Sequence, residues 1–358
     1  MAKHFSGYDY VPDGSGEAVC QKGDFVFAAA GLDHGHIYAQ TRGLINAGAE
    51  CALVWDSDPK KMAEFQKRFP EVKSAASLEE ILQDPRIVCV AGASVPADRF
   101  ALGEKVLNAG KHYFVDKPPF TTLEQLDAAR ALVAKTGLKY MPYYAERIHN
   151  QAAEAANELI KNGAIGKVLQ VLIMAPHRLS KQQRPDWFFK RERYGGILTD
   201  IGSHQFEQFL EFSGANDASV NFARVANFGN PDTPELQDFG EASLTTDTGA
   251  SCYCRVDWFT PDGLPVWGDG RTFILGTKGY IEIRKYIDYS SPENPDQILY
   301  ITDAEKTRRI DCRKMNFPFF GRFILDILNG TQNAMTQEHA FKAAELALKA
   351  QQTAEQHA

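Results

Sequence analysis

Two spacings of apolar residues divide the chain near residue 145. Before it, apolar runs of strand length alternate with stretches in which apolar residues recur every three to four positions. Segments 25–30, 50–55, 87–91, 112–115 and 139–143 predict buried strands. Segments 36–47, 59–69, 78–82, 97–109 and 123–135 predict helices. Gly48, Gly110 and Gly137 stand where three of those helices close, and Pro59 falls in a first turn. This alternation implies right-handed βαβ units and a parallel sheet covered on both faces.

Beyond residue 145 the helical pattern persists only at 151–161, 201–212, 319–328 and 337–354. Between them lie strand-like segments at 168–175, 219–227, 241–245, 250–258, 271–276 and 279–284. Strands in succession without helices predict a mostly antiparallel sheet, one face buried and the other open. The expected division is an N-terminal extension over 1–23, an α/β dinucleotide-binding (Rossmann) domain over 24–145, an α+β domain with a large antiparallel sheet over 146–335, and a terminal helix over 336–358 that can pack back on the first domain.

Composition narrows the class. The 358 residues suit two domains, and 44% hydrophobic with 24% charged residues is ordinary for a globular chain. The net charge of −7 comes with no basic stripe, which argues against a nucleic-acid partner. No run of 18 apolar residues exists and the first 23 residues lack an apolar signal core, so neither a membrane span nor a secretion signal is expected. Six scattered cysteines fit a reducing cytoplasm. The single close pair, Cys252 and Cys254, lacks the second pair that a zinc site needs, and no metal is expected.

The first chemical signal is the strand-to-helix turn Gly31-Leu32-Asp33-His34-Gly35-His36. A dinucleotide fold places its pyrophosphate at such a helix N-terminus. Counted as G-x-G-x-x-G, the second and third glycines are Asp33 and His36, so the fingerprint is degenerate. Asp33 could instead be an ordinary helix N-cap. Asp56 ends the second strand 25 positions after Gly31. A carboxylate there can accept both adenosine-ribose hydroxyls and repels a 2′-phosphate, which favours NAD over NADP. It could also simply start the turn before Pro59.

Further motifs resemble one family. Gly110-Lys-His-Tyr-Phe-Val-Asp116-Lys117-Pro118 resembles the "aGKHv..EKP" signature of the Gfo/Idh/MocA oxidoreductases, the relatives of glucose–fructose oxidoreductase and inositol 2-dehydrogenase. Gly195-Gly196-Ile-Leu-Thr-Asp200-Ile-Gly202-Ser-His204 resembles that family's "GGG.l.D.G.H". Gly163-Ala-Ile-Gly166-Lys-Val resembles its entry into the second domain. Ser94, Val95 and Pro96 sit where the family has a cofactor-contacting loop. The motifs fall in the family's order over roughly residues 24–350. Three departures stand out: Asp116 in place of Glu, the missing glycines of the turn, and Phe100 where the family has His.

The resemblance implies hydride transfer between NAD and a sugar, cyclitol or sugar acid. Such chemistry needs a proton acceptor and positive charge beside the developing alkoxide. It assigns Lys117, Asp200 and His204 to catalysis. Cofactor binding falls to Gly31, Leu32, Asp33, His34, Gly35, His36, Asp56, Ser94, Val95, Pro96, Asp116 and Lys117. Asp200 and His204 are four residues apart, which on a helix is one face. Tyr144, Arg147, His177, Arg178, Trp187 and Tyr194 are the pocket candidates, joining Asp200 and His204. Two other readings remain open: a redox-neutral glycosidase or lyase using NAD transiently, and a non-catalytic dinucleotide sensor, against which the Lys117, Asp200 and His204 set argues. By analogy with the family, the open sheet face implies a homodimer or homotetramer.

Overall fold

The computed structural model describes Gly7, residues 10–14 and residues 16–356. Of the extension expected over 1–23, residues 1–6, 8–9 and 15 lie outside the described residues, as do the last two of the terminal segment. The described residues form two compact units, one carrying residues 10–143 with Asn316–Phe341, the other Gly7, Tyr144–Met315 and the chain from Lys342.

In the first unit, β1 (Val26–Ala30), β2 (Glu50–Trp55), β3 (Lys73–Ser74), β4 (Ile87–Gly92), β5 (His112–Asp116) and β6 (Tyr140–Tyr143) form one parallel sheet in the order β3-β2-β1-β4-β5-β6. This is the Rossmann strand order, in which ligands sit outside the carboxyl ends of the strands where the order reverses, here beyond β1 and β4. The helices between them are α1 (His36–Asn46), α2 (Pro59–Arg68), α3 (Leu78–Gln83), α4 (Arg99–Asn108) and α5 (Leu123–Thr136). Local chemistry sets their ends. Asp58 caps α2 through the Lys60 amide, with Pro59 in the first turn. Thr122 caps α5 through the Gln125 amide, and Gly137 closes it in the left-handed conformation. All five residues of β1 are buried, as a strand covered on both faces requires.

The second unit begins with α6 (Ala145–Ile148) and α7 (Gln151–Lys161), the latter capped by Asn150. Strand β7 (Val168–Pro176) follows, then the short helices α8 (Arg191–Tyr194) and α9 (Ile197–Asp200) and the longer α10 (Gly202–Ser213). The remaining strands are β8 (Ala218–Ala226), β9 (Phe239–Thr246), β10 (Ser251–Asp257), β11 (Arg271–Gly276), β12 (Gly279–Arg284), β13 (Ile298–Thr302) and β14 (Thr307–Asp311). They join in the order β14-β13-β12-β11-β7-β10-β9-β8. Every pair is antiparallel except β7 with β10. Cys252 and Cys254 are buried on β10, and burial pushes the Cys252 thiol up to about 12. Both are core residues. The sheet packs one face on α7, α9 and α10, while cross-strand neighbours Phe222, Ser243, Tyr253, Leu172 and Phe273 form a row on the other.

The C-terminal segment departs from the expected boundaries. Helix α11 (Pro318–Asn329), read from the sequence as part of the second domain, belongs to the first unit. Its Phe319, Phe320 and Phe323 pack around Phe114 of β5. Gly43 permits the approach, because a Cβ there would fall 2.3 Å from the Phe320 ring. Helix α12 (Gln337–Glu355) starts in the first unit. The Gln337 amide group bonds both the N–H and the carbonyl of Tyr140 on the edge strand β6 (2.9 and 2.6 Å). A side-chain amide thus covers that exposed strand edge, which an apolar count cannot reveal.

His112 opens β5, where its Nδ1 accepts the Lys139 N–H at 3.0 Å. Burial first, and Lys139 second, push its imidazole down to about 4. The unfolded chain therefore binds a proton that the folded chain refuses, and stability is lost as pH falls from about 6.5 toward 4. We expect His112→Asn, which keeps an acceptor, to flatten the decline of the melting temperature across this window. An unchanged slope in thermal melts from pH 7 to pH 4 would count against the assignment.

Candidate active site

The turn after β1 satisfies its own backbone with no residue in excess. Gly31 donates to Trp55 O (3.2 Å), Ala93 donates to Gly31 O (2.9 Å), and His34 donates to Ala93 O (2.8 Å). Gly31 has φ +71°, and a Cβ there would fall 2.9 Å from the Ser94 Cβ. Glycine is required both for that conformation and for the approach of the loop after β4. Asp33 is not the helix cap: α1 begins behind Gly35 with no side-chain cap and no acid in its first turn. Instead Asp33 turns aside, pairing with Lys61 and accepting the Val95 N–H at 3.2 Å. The N-terminus of α1 is thus left without a carboxylate, as an anion-binding helix end requires.

Asp56 is buried, and its oxygens accept the amides of Leu32 (2.7 Å) and Asp58 (2.9 Å). The two roles considered for it coexist. It starts the turn before Pro59 and fixes Leu32 of the glycine turn, and each oxygen keeps a lone pair for a further donor. Lys61 Nζ lies 3.8 Å away. A cation is therefore near this carboxylate although no arginine follows it in sequence.

Asp116, at the end of β5, is fully buried. One oxygen meets His36 Nδ1 (2.7 Å) and the Lys117 N–H (2.8 Å), and the other takes Arg99 Nη2 (2.8 Å). His34 Nδ1 lies 3.4 Å from the second oxygen. Burial alone would raise this carboxyl, but His36 and Arg99 outweigh it and hold it well below the usual range. Burial, then His36, drives the His34 imidazole well below its ordinary value, so His34 is neutral. Arg99, also fully buried, further donates to Ser94 O (2.7 Å) and Pro118 O (3.1 Å). It ties the loop carrying Ser94, Val95 and Pro96 to the loop carrying Lys117. The sequence reading missed Arg99. The ligand atoms of His34, His36 and Asp116 lie within 4.8 Å of one another, a spacing a metal ion could use, but Asp116 is already committed to a guanidinium. Lys117 is itself buried beside this network.

In the second unit, Asp200 ends α9 and His204 lies in the first turn of α10. The expected single helix is interrupted, yet Ile201 keeps right-handed helical angles (φ −79°, ψ −46°). The chain therefore stays helical through the break, and the four-residue spacing keeps both side chains on one side. Gly196 before α9 has φ +90°, and a Cβ there would fall 2.2 Å from the Gln351 side chain. Gln351 Oε1 accepts the Leu198 N–H at 3.0 Å, holding the start of α9. This buried glutamine on the last helix also escaped the sequence reading.

Four pocket candidates are buried. Arg147 is buried against Glu207 and Glu154, with Nε 2.7 Å from Glu207 Oε1. Arg178 is buried and binds Asp262, Leu264 O and Val266 O, pinning the loop before β11. The Tyr194 hydroxyl donates to Glu235 O and accepts the Gln237 N–H. Tyr144 is fully buried with its ring near His204. Charge and aromaticity suggested recognition for these residues; Arg147, Arg178 and Tyr194 are engaged by protein partners. Trp187 and His177 remain partly exposed. His177 lies edge-on to Trp258 and tilted against Trp267.

With this geometry described, comparison defines the class. Residues 27–144 match the family described as "Oxidoreductase family, NAD-binding Rossmann fold", and residues 153–282 match the "GFO/IDH/MocA C-terminal domain". The chain belongs to the Gfo/Idh/MocA oxidoreductases. Among particular relatives, a crystallised protein of Erwinia carotovora atroseptica SCRI1043 shares 48% identity over 92% of this chain and 99% of its own, with a TM-score of 0.89. Levoglucosan dehydrogenase, solved with NADH and levoglucosan, shares the fold at 18% identity over 94% of this chain and 98% of its own, with a TM-score of 0.78. The scyllo-inositol 2-dehydrogenase (NAD(+)) of Bacillus subtilis is 26% identical over 69% of this chain and 70% of its own length. Some curated relatives match over less: 65% of an uncharacterized oxidoreductase of Synechocystis and 38% of the D-xylose dehydrogenase of Paenarthrobacter nicotinovorans.

Neutralising Asp116 would leave Arg99 charged and buried without its counter-ion. Breaking one side of a buried pair costs about 3–5 kcal/mol. We expect Asp116→Asn to lower unfolding stability by that amount in urea at pH 7. A loss below about 1 kcal/mol would show that Arg99 finds another partner, since only an unpaired buried charge carries the larger cost.

Proposed function

We propose that the protein is an NAD-dependent dehydrogenase acting on a CH–OH group of a sugar, cyclitol or sugar acid. The observation that carries the reading is the placement of Lys117 directly after Asp116, buried and fixed at the carboxyl edge of the parallel sheet by the Arg99 network. A dinucleotide fits the turn after β1, where Gly31 admits close approach and the α1 N-terminus carries no acid. A nicotinamide held there would supply the acceptor for the hydride of the carbinol carbon. Lys117 supplies positive charge for the oxygen as alkoxide character develops. His204 accepts the hydroxyl proton, and Asp200 orients neighbouring hydroxyls. Asp56 supports NAD over NADP, because a 2′-phosphate would meet its carboxylate, although Lys61 softens that repulsion. Named substrates of the relatives, such as D-xylose, scyllo-inositol and levoglucosan, support a polyhydroxylated substrate.

The test is NADH formation from NAD across a panel of aldoses, cyclitols, polyols and sugar acids, with the matching ketones and NADH run in reverse. Turnover of at least one compound is expected. Lys117→Ala and His204→Ala should each abolish it while circular dichroism stays native. Full activity in either variant would sink the role given to that residue.

We also propose that the open face of the second unit's sheet joins copies of the chain. Phe222, Phe273, Leu275 and Tyr280 are exposed on its strands, more apolar surface than a lone sheet face normally offers to water. Light scattering should give a dimer or tetramer, and Phe273→Glu should shift it toward monomer. A monomeric wild-type protein at micromolar concentration would refute the proposal.

A further inference from the structure

Within the second unit, Glu146 on α6 is a buried carboxylate outside the sites considered above. Its two oxygens are treated unequally. Oε2 accepts Lys285 Nζ and Gln205 Nε2, both at 3.0 Å. Oε1 has no hydrogen-bond donor among the described residues and no solvent contact. His177 Nε2 lies 3.8 Å from it, beyond hydrogen-bond reach. His177 Nδ1 lies 3.1 Å from Ala175 O, which can only accept, so Nδ1 carries the proton. In its neutral form His177 therefore presents a lone pair toward Oε1 rather than a hydrogen. A carboxylate oxygen sealed from water and left unpaired costs about 1–3 kcal/mol or more. Such an atom is complementary to positive charge that arises nearby during function.

The surroundings identify where that charge arises. Gln205, which donates to Glu146, is the residue after His204. Gln208 accepts from Lys285 (2.8 Å) and donates to the carbonyl of His204 (2.9 Å). The Glu146–Lys285 pair is thus wired to the helical turn that carries His204. The other charges on the elements packed against α10 are largely spent. Arg147 is matched by Glu207 and Glu154. Cys254 on β10 is a buried thiol that burial keeps protonated. Glu241 on β9 accepts the Tyr253 hydroxyl (2.7 Å). Lys161 on α7 is paired with Glu211 of α10, and Arg255 with Asp257 on β10. Asp200 lies on α9, and the partly exposed His177 follows β7. Burial would raise the Glu146 carboxyl, but Lys285, His204 and His177 bring it down to about 2, so it is ionised throughout the working range.

We propose that Glu146 is a positioning residue for His204, its free Oε1 stabilising the imidazolium formed when His204 takes the proton of the substrate hydroxyl. The balance is simple. The proton leaves the hydroxyl oxygen for the imidazole, the hydride goes to the nicotinamide, and Glu146 stays ionised throughout. The proposal rests on the dehydrogenase reading for its purpose but not for its physics. The hydrogen bonds that tie Glu146 and Lys285 to the turn carrying His204 exist in the resting protein.

The experiment is a proton NMR titration of the histidine C2 resonances in the full chain, with His204 and His177 assigned through His204→Asn and His177→Asn. Glu146→Gln should lower the His204 midpoint by about one pH unit, equivalent to about 1.4 kcal/mol. Lys285→Met, which leaves the carboxylate unopposed, should raise it. A purely structural role would move neither midpoint while melting temperatures fell. If the single variants do not fold, the charge-free pair Glu146→Gln/Lys285→Met decides, and it should still lower the midpoint by a smaller amount. A His204 midpoint unchanged in the folded variants overturns the proposal. In turnover, the acidic limb of kcat/KM should follow the same shifts. If no compound of the panel supports NAD reduction by the wild type while the NMR shifts appear, the dehydrogenase reading fails and the coupling stands.

Discussion

The carboxylate of Asp116 has no contact with water, yet three segments of the first unit end on it. The start of α1 reaches it through His36, the start of α4 through Arg99, and the Lys117 loop through its own backbone amide. A buried ion is tolerable only when its hydrogen-bonding capacity is filled, so these three ends have little freedom to move apart. Arg99 extends the constraint to the carbonyls of Ser94 and Pro118. The glycine turn, the loop after β4 and the Lys117 loop are therefore one electrostatic unit, and they are the loops a dinucleotide fold uses.

That network explains the degenerate fingerprint. The usual third glycine lets helix and sheet pack closely. Here His36 occupies the position and is held by Asp116, whose chain is one methylene shorter than glutamate. His34 joins through the second oxygen at 3.4 Å. The two histidine rings sit edge-on at 4.2 Å between centroids. The missing glycines and the shortened acid, each a departure when counted singly, are parts of one arrangement.

Elements with a strong period were legible in the sequence: the parallel strands of the first unit, the helices between them and the central strands of the second sheet. Strand β3 was not, being two exposed residues placed by pairing with β2. Strands β13 and β14 were missed because each is short and β14 is largely charged. The pairing of β7 with β10 could not be read at all, since alternation reports which face is buried and not which strand is beside it. At the site, residue types pointed to Lys117, Asp200 and His204. The protein partners of Arg147, Arg178 and Tyr194 could not be read, because a charged or phenolic side chain looks the same in sequence whether it meets a ligand or a buried partner. Arg99, Glu146 and Gln351 were invisible for the same reason reversed. Their importance comes from partners 17 to 153 positions away.

The second unit concentrates buried charge around one helix. Arg147, Lys285, Glu146, Glu154 and Glu207 are all buried, two cations against three carboxylates, a net of −1. Hydrocarbon of the same volume would usually be at least as stable, because the desolvation of paired ions consumes most of their attraction. Burial so placed is better understood as a fixed field than as a source of stability. An excess negative charge, sealed from water, acts at short range with little screening. It favours a proton arriving on a neighbouring imidazole and disfavours a second anion in the same place. The sign of that field suits a base that must hold a proton briefly, and it is set by side chains of α6, α7 and α10 and by Lys285 after β12 before any ligand binds.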